Sequence, residues 1–198
     1  MSRRPGLDKA AVVMAAAELL NAEGIEALSL NRLAAKLGIQ TPSLYNHIDG
    51  LPDLLQELAL LNARKLGECL TNAAIGKAGP QALGDVAEAY RAYIKHNSGL
   101  YLTSLRASRN QQPVNPELKA AEDRVVEVVL AVMTSFGLQG EDALHAVRGL
   151  RSLVHGFATL EIAGGFGLPL DCDESFHRMV NLLIRGLTLS TKFSNGNL

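Results

Sequence analysis

The chain has no tryptophan, only two cysteines and no long apolar run. The last two shortages argue against a disulfide-rich protein and against a membrane-spanning protein. Cys69 and Cys172 are too few for a disulfide framework and lack the CxxC spacing of many zinc sites, so we interpret them as incidental thiols of a reduced chain, with redox sensing as the alternative. The sequence contains no stretch of about 18 apolar residues, so we predict no membrane-spanning helix. The N-terminal letters MSRRPGLDK lack the apolar core of a signal peptide, so we expect a cytoplasmic protein without membrane partners.

Excess positive charge is also missing. The 19 Lys and Arg residues face 20 Asp and Glu residues, which gives a net charge of −1. A protein that coats nucleic acid without regard to sequence needs surplus cations to neutralise phosphates. The balance therefore argues against such a coat, but it leaves room for a small DNA-reading module on a neutral body.

What the chain does contain is alanine and leucine in helical patterns. Hydrophobic residues make up 47% of the sequence, and alternating β-branched runs are few. This composition predicts an all-α protein of about nine helices. A change of pattern near residue 50 indicates a three-helix unit of the helix-turn-helix type at residues 1–50 and a larger helical domain at 51–198.

The segment LNRLAAKLGIQTPSLYNHI, residues 30–48, has the pattern of two short helices joined by a tight turn. Apolar residues at i, i+3, i+4 and i+7 form one stripe on the first helix, and Gly38 is suited to end it. Thr41 is predicted to cap the second helix, with Pro42 in its first position. Leu44 and Ile48 would anchor this helix to a core and leave its polar side chains facing outward.

The first 55 residues resemble the DNA-binding domain of the TetR family of bacterial transcriptional regulators. The resemblance is carried by AAAELLNAEGIEALSLNRLAAKLGI and TPSLYNHIDGLPDLL. The segment RSLVHGFATLEIAGGFGLP resembles the C-terminal domain of one TetR branch, the WHG type, although only His155 and Gly156 of that signature are present and the Trp is absent. The resemblance implies a homodimer that binds a palindromic double-stranded operator and releases it when a small-molecule inducer binds.

In such a dimer each recognition helix, residues 42–48, would lie in a major groove, with the half-sites about one helical turn or more apart. Many family members carry a phosphate-binding Lys after the His, but Leu51 stands at that position here. Phosphate contacts would then fall to other side chains, including a basic N-terminal arm that reaches the backbone or a minor groove. The predicted DNA contacts are Arg3, Arg4, Ser29, Asn31, Thr41, Ser43, Tyr45, Asn46 and His47.

Two further sets of residues are predicted in the larger domain. Apolar and aromatic side chains at helical spacing predict a ligand pocket, although plain core packing is the alternative: Tyr90, Ile94, Leu102, Leu105, Val129, Met133 and Phe157. The last two long helices each have an apolar face suited to a four-helix dimer bundle, although these faces could instead be buried inside one subunit: Leu150, Val154, Ala158, Met179, Val180, Leu183 and Leu187.

The sequence predicts no metal site, no cofactor and no catalytic residue. Asp173 and His177 are spaced i, i+4, but Asp173 is expected to cap the last helix, and no HExxH or Cys cluster accompanies them. His155 beside Gly156 is expected at a close helix–helix contact. Two alternatives to a ligand-released repressor remain at this stage: a helical enzyme, and a helical scaffold or small-molecule-binding protein with weak or lost DNA binding.

Overall fold

A computed structural model describes residues 7–107 and 115–194, and nine α-helices with one 3₁₀ turn account for the regular structure in those ranges. This confirms the all-α prediction. The turn spans Ile25–Ala27, and the helices are α1 Lys9–Glu23, α2 Leu30–Leu37, α3 Thr41–Leu44, α4 Leu51–Ala74, α5 Gly79–His96, α6 Ser98–Ala107, α7 Pro116–Thr134, α8 Gly140–Ile162 and α9 Cys172–Ser194.

Several helices begin where a short polar side chain can cap them. Asp8 accepts a hydrogen bond from the Ala11 N–H at 2.7 Å, and Ser29 accepts one from the Arg32 N–H at 3.3 Å. At α7, Asn115 Oδ1 accepts from the Glu117 N–H at 2.9 Å. Each bond satisfies a backbone donor that has no partner within its own helix.

Two predicted caps were wrong. Gln40 precedes α3 and makes no side-chain cap bond, so Thr41 is already the first helical residue. At α9 the cap is Asp171, whose Oδ1 accepts from the Glu174 N–H at 2.9 Å. A capping residue must precede the helix, whereas Asp173 lies inside the first turn of α9, where its carboxylate is available for another partner.

The chain divides into two compact units, Met1–Arg64 with His96–Ala121, and Lys65–Lys95 with Glu122–Leu198. In the first unit, the apolar faces of α1, α2 and α3 close over a common core together with the start of α4 and with α6. The unit that holds the predicted DNA-reading helices is therefore larger than residues 1–50. The core residues from these helices include Val12, Ala16, Leu20, Leu33, Leu44, Ile48, Leu54, Leu58 and Leu100.

The backbones of α1 and α6 cross closely at Gly99. A Cβ atom built on Gly99 would lie 1.9 Å from the carbonyl oxygen of Leu20. Beside it, Asn21 Oδ1 accepts a hydrogen bond from the Leu100 N–H at 2.9 Å, which caps the first turn of α6 from the end of α1. Only glycine fits at this position, because any side chain would collide with the backbone of α1.

In the second unit, α8 and α9 pack against each other. A close helix–helix contact was expected at His155 and Gly156; at Gly156, no described atom outside its own helical backbone and chain neighbours lies within 4 Å of an added Cβ. Over the described ranges, no helix is both long and apolar enough to cross a membrane.

Candidate nucleic-acid interface and effector site

The turn between α2 and α3 is built around Gly38. Its backbone is left-handed, with φ 68° and ψ 31°. The N–H groups of Gly38 and Ile39 donate to the carbonyls of Ala35 and Ala34 at 3.1 and 3.0 Å. These bonds satisfy the last carbonyls of α2 and reverse the chain within a few residues, so the turn takes the form that the sequence predicted.

The segment after the turn is a short α-helix that tightens as it ends. α3 covers Thr41–Leu44, and the N–H groups of Tyr45, Asn46 and His47 donate to carbonyls three residues earlier. Leu44 is fully buried and Ile48 is 2% exposed, so both anchor the segment in the core. The predicted recognition helix 42–48 is therefore α-helical only as far as Leu44, and residues 45–47 continue as hydrogen-bonded turns of the 3₁₀ type.

Because Leu44 and Ile48 face the core, the polar side chains between and beside them face outward. Tyr45 is 57% exposed, Asn46 is exposed, and Ser43 and His47 are half-buried. Among the described residues, none of these four side chains forms a hydrogen bond, and they supply hydroxyl, amide and imidazole groups that suit phosphate oxygens and base edges. Ser29 is half-buried and its hydroxyl is occupied by the cap of α2.

Asn31 and Thr41 meet across the turn. The Thr41 hydroxyl donates to Asn31 Oδ1 at 2.9 Å, which ties the first turn of α2 to the first residue of α3. Both were predicted as separate DNA contacts, and the structure brings them together as one pair. The other two predicted contacts, Arg3 and Arg4, lie outside the described residues.

Every lysine and arginine between residues 7 and 64 is paired with a carboxylate. Lys9 bonds Glu57 at 2.6 Å, Lys36 bonds Glu18 at 3.1 Å, and Arg64 bonds Glu117 at 2.9 Å, while Arg32 pairs with Glu23. The hydrogen bond that Lys9 donates to Glu57 raises the pKa of Lys9 despite its partial burial. The surface around the turn is therefore polar and close to neutral.

The junction between α3 and α4 is held by one carboxylate. Asp53 Oδ2 accepts from the Asp49 N–H at 3.0 Å, and Asp53 Oδ1 lies 3.5 Å from Lys9 Nζ. The first turn of α4 is thereby fixed to the loop that leaves α3 and to the start of α1. Leu51, at the position where the family often has Lys, is 36% exposed.

The predicted ligand residues are divided between the two units. Leu102 and Leu105 belong to α6 of the first unit, where Leu102 is 39% exposed and Leu105 is half-buried. The other five are buried in the second unit: Tyr90, Ile94, Val129, Met133 and Phe157. A shallow groove of about 530 Å³ in that unit has none of the seven in its lining, which consists of Leu130, Thr134, Gln139, Gly140, Glu141, Ala143 and Leu144.

A buried arginine is the main polar feature of the second unit. The Arg91 side chain is 5% exposed, and its Nε and Nη2 bond the two carboxylate oxygens of Glu161 at 2.9 and 2.8 Å. Nη2 also lies 2.8 Å from Asp173 Oδ1. The guanidinium sits 5.3 and 4.8 Å from the ring centroids of Phe157 and Phe176, so both charge pairing and cation–π contact hold it.

The network continues to α9 and to a second cation of α5. Lys95 Nζ bonds Glu161 at 2.7 Å, and His177 Nε2 lies 3.3 Å from Glu88. Burial opposes the charge on Glu161, but the hydrogen bonds from Arg91 and Lys95 outweigh it, so the pKa of Glu161 is lowered. Burial also opposes the charge on Arg91 and by itself lowers its pKa. The hydrogen bonds to Glu161 and Asp173 have the opposite effect and outweigh burial, so the pKa of Arg91 is raised.

Sequence reasoning missed this network. Arg91 and Lys95 share a helix face at i, i+4, which was visible, but Glu161 lies 70 residues from Arg91 along the chain. The sequence pattern suggested Asp173 as a helix cap or, with His177, as a metal ligand, and neither interpretation pointed to Arg91. Within the described ranges, no group of three or more His, Cys, Asp or Glu side chains is placed to hold a metal ion.

The predicted dimer residues are mostly inward-facing. Leu150, Val154 and Ala158 are fully buried and Val180 is 4% exposed, while Met179, Leu183 and Leu187 are half-buried. This burial favours the alternative that these faces pack inside one subunit. The strongly exposed apolar side chains of the same region are other ones: Leu160, Ile162, Phe166, Leu168, Leu170, Leu182 and Leu189.

Two protein-family models match the chain. The one described as "Bacterial regulatory proteins, tetR family" matches residues 12–58, which contain the turn and the outward polar face. The one described as "Tetracyclin repressor-like, C-terminal domain" matches residues 83–183, which contain the Arg91 network.

Whole-chain comparisons agree with these matches. The chain is 33% identical to the HTH-type transcriptional regulator YobS of Bacillus subtilis, over 97% of this chain and 98% of YobS. It is 34% identical to the HTH-type transcriptional regulator Rv0681 of Mycobacterium tuberculosis, over 96% and 86% of the two chains. A solved TetR variant from Acinetobacter baumannii AYE in complex with minocycline has 26% identity and a TM-score of 0.65, covering 91% of this chain and 96% of that one.

Proposed function

This chain belongs to the TetR family of helix-turn-helix transcriptional regulators, and we propose that it acts as a homodimeric repressor released by a small-molecule inducer. In this proposal, two copies bind a palindromic operator, each with one α2–α3 unit in a major groove. The protein acts in the cytoplasm, and its activity is binding without catalysis. Repression and activation would use the same contacts with DNA, and repression is the role typical of the family.

The observation that carries the DNA-binding proposal is the polar face held on two buried anchors. Leu44 and Ile48 fix α3 in the core, so Tyr45 and its polar neighbours are presented with little freedom. A backbone segment that is already ordered loses less entropy when its side chains contact a partner. Rigid presentation of a hydroxyl, an amide and an imidazole suits sequence reading better than nonspecific attraction to phosphates.

The test is a binding titration with duplexes tiled across the DNA upstream of the gene. Wild-type protein should select one palindromic fragment over the others by at least about a thousandfold, the lower end for sequence-specific proteins. Tyr45→Ala should weaken binding to that fragment by about tenfold, since it removes an exposed contact but no core packing. Ile75→Ala is the matched control, because Ile75 is 66% exposed and lies outside the DNA-binding unit.

Two results would contradict the proposal. Equal binding to every fragment would favour a scaffold whose helix-turn-helix no longer reads sequence. An equal loss in the Tyr45 and Ile75 variants would mean that the α3 face is not the surface that contacts DNA.

For the dimer, we place the contact on the outward side of α8, α9 and their connecting loop. Leu182 and Leu189 of α9 are 67% and 54% exposed, and Leu168 and Leu170 of the loop are exposed more strongly still. Large apolar side chains that are this strongly exposed favour an interface, because their contact with water is unfavourable. The buried residues of α8 would then support the interface from beneath without touching the partner copy.

For the inducer, we place the site among the five predicted residues of the second unit. Tyr90, Met133 and Phe157 are buried side chains, largely apolar and with one hydroxyl among them, and the Arg91 network lies beside Phe157. The TetR variant from Acinetobacter binds minocycline, a small polycyclic molecule, within the same family fold. An aromatic or otherwise apolar ligand is the class that suits these side chains.

A further inference from the structure

The hydrogen bond between Thr41 and Asn31 has a consequence for what the DNA-reading unit can recognise. Asn31 is the second residue of α2 and Thr41 is the first of α3. The Thr41 hydroxyl donates its proton to Asn31 Oδ1 at 2.9 Å. The bond thus fixes the orientation of an amide on the exposed side of the turn.

Fixing the carbonyl oxygen also fixes the nitrogen. With Oδ1 directed at Thr41, the NH₂ group of Asn31 points away from it and offers its two donors to a partner. Across the described part of the chain, no acceptor is bonded to this nitrogen. Asn31 is exposed and Thr41 is half-buried, so the amide is held at the surface by a partly sheltered hydroxyl.

The bases differ in how well their major-groove edges match an amide in this orientation. Reading adenine in the major groove requires the amide oxygen and nitrogen together, because adenine presents the N7 acceptor beside the N6 donor. The Asn31 oxygen already accepts the Thr41 proton, whereas the NH₂ group is free among the described residues, so this amide is oriented to act chiefly as a donor. Guanine presents N7 and O6 as acceptors, and thymine presents O4, so these edges match it.

We propose that Thr41 is a positioning residue that orients the Asn31 amide, so that Asn31 reads an acceptor edge, guanine N7/O6 or thymine O4, at one base pair of each half-site. This proposal rests on the proposed operator binding. It also gives Thr41 an indirect role: its proton is committed to Asn31 and is not donated to a phosphate.

The experiment measures binding of the full-length protein to its operator and to every single-base-pair change in one half-site. Thr41→Val keeps the branched shape but removes the hydroxyl, and Thr41→Ser keeps the hydroxyl. Asn31→Ala removes the reading group. Asn31→Asp retains an acceptor for Thr41 but removes both donors.

Wild type should prefer G or T at one position on the strand read by Asn31. Thr41→Val should flatten that preference by about five- to tenfold, the typical effect of one hydrogen bond, and leave the other positions unchanged. Thr41→Ser should retain the preference, whereas Asn31→Ala and Asn31→Asp should lose it at the same position. The double variant Thr41→Val with Asn31→Ala should match Asn31→Ala alone, because a positioning residue has no effect without its partner.

The proposal is overturned if Thr41→Val weakens binding equally on every duplex while its melting temperature is unchanged, since that pattern indicates a phosphate contact. It is also overturned if the two substitutions affect different positions or add independently, or if the position that responds to Asn31 requires adenine. If wild type selects no duplex at all, the proposed operator binding fails. If wild type selects an operator and Thr41→Val keeps its full base profile, only the positioning role fails.

Discussion

Replacing Gly99 with alanine is the substitution whose cost the structure defines best. The added methyl would sit 1.9 Å from the carbonyl oxygen of Leu20, and 2.3 Å from its carbonyl carbon. Real Cβ contacts need well over 3 Å, so α1 and α6 must separate by more than 1 Å. The obstacle is backbone, which cannot rotate away as a flexible side chain would.

Two opposing effects determine how much Gly99→Ala changes the free energy of unfolding. Overpacking against a rigid neighbour costs up to about 3 kcal/mol, and separating the helices also strains the Asn21 bond to the Leu100 N–H. Alanine in a helix is favoured over glycine by about 1 kcal/mol. The net loss in the free energy of unfolding should be about 2 kcal/mol. For a chain of about 200 residues this corresponds to a fall in Tm of roughly 4–8 °C.

The matched control is Gly84→Ala in α5. No atom lies within 4 Å of a Cβ built there, so only the helix-propensity gain applies. Gly84→Ala should therefore raise the free energy of unfolding by up to about 1 kcal/mol. Both variants should be measured by thermal and urea unfolding at one protein concentration, because the Tm of a dimer depends on it.

If Gly99→Ala lowers the free energy of unfolding and Gly84→Ala raises it, the close crossing of α1 and α6 is supported. If Gly99→Ala is as stable as wild type, or is stabilised like Gly84→Ala, then α1 and α6 do not approach closely in solution, and the reasoning from this crossing is wrong.

The remaining predictions concern charge, assembly and salt. Glu161→Gln should cost about 3 kcal/mol at neutral pH, because Arg91 stays buried with its main partner removed. The lowered pKa of Glu161 means that its stabilisation is present above its unfolded pKa of about 4.3 and is lost as pH falls through the folded value. Urea unfolding from pH 7 to 3 should therefore show a smaller pH dependence in Glu161→Gln, and equal slopes would refute the pairing. Leu182→Glu should shift the dimer toward monomer in sedimentation velocity, whereas Ile75→Glu, which is equally exposed, should not; a similar shift in both would place the interface elsewhere. If the ion pairs of the DNA-binding unit stay closed and only Arg3 and Arg4 of two subunits neutralise phosphates, the slope of log K against log salt should be about −4, and a slope steeper than about −7 would contradict that.

Local chemistry explains which parts of the fold could be predicted from the sequence. The left-handed Gly38, like the caps at Asp8, Ser29 and Asn115, depends on a few neighbouring residues, so a local pattern was sufficient to predict the turn at Gly38. At α3 and α9 the polar residue taken as the cap was one or two positions too late. Ser, Thr, Asp and Asn serve both as caps and as first-turn residues, and the sequence does not distinguish these positions.

The long-range features could not be predicted in this way. Gly99 looks like an ordinary loop glycine until α1 is placed against it. The Thr41–Asn31 bond and the Arg91–Glu161 pair each depend on where two separate helices cross. Likewise, the apolar pattern of α8 predicted a buried face correctly, but periodicity does not say whether a partner copy or the same chain buries it.

The paired cations of the DNA-binding unit also affect how the protein is distributed in a cell. A chromosome offers millions of nonspecific sites, and a reading head rich in unpaired lysines is largely sequestered on them. In this chain, the cations described between residues 7 and 64 are already neutralised by Glu18, Glu23, Glu57 and Glu117. A larger share of the molecules should then stay unbound by bulk DNA, so that a small number of copies is enough to occupy a single operator.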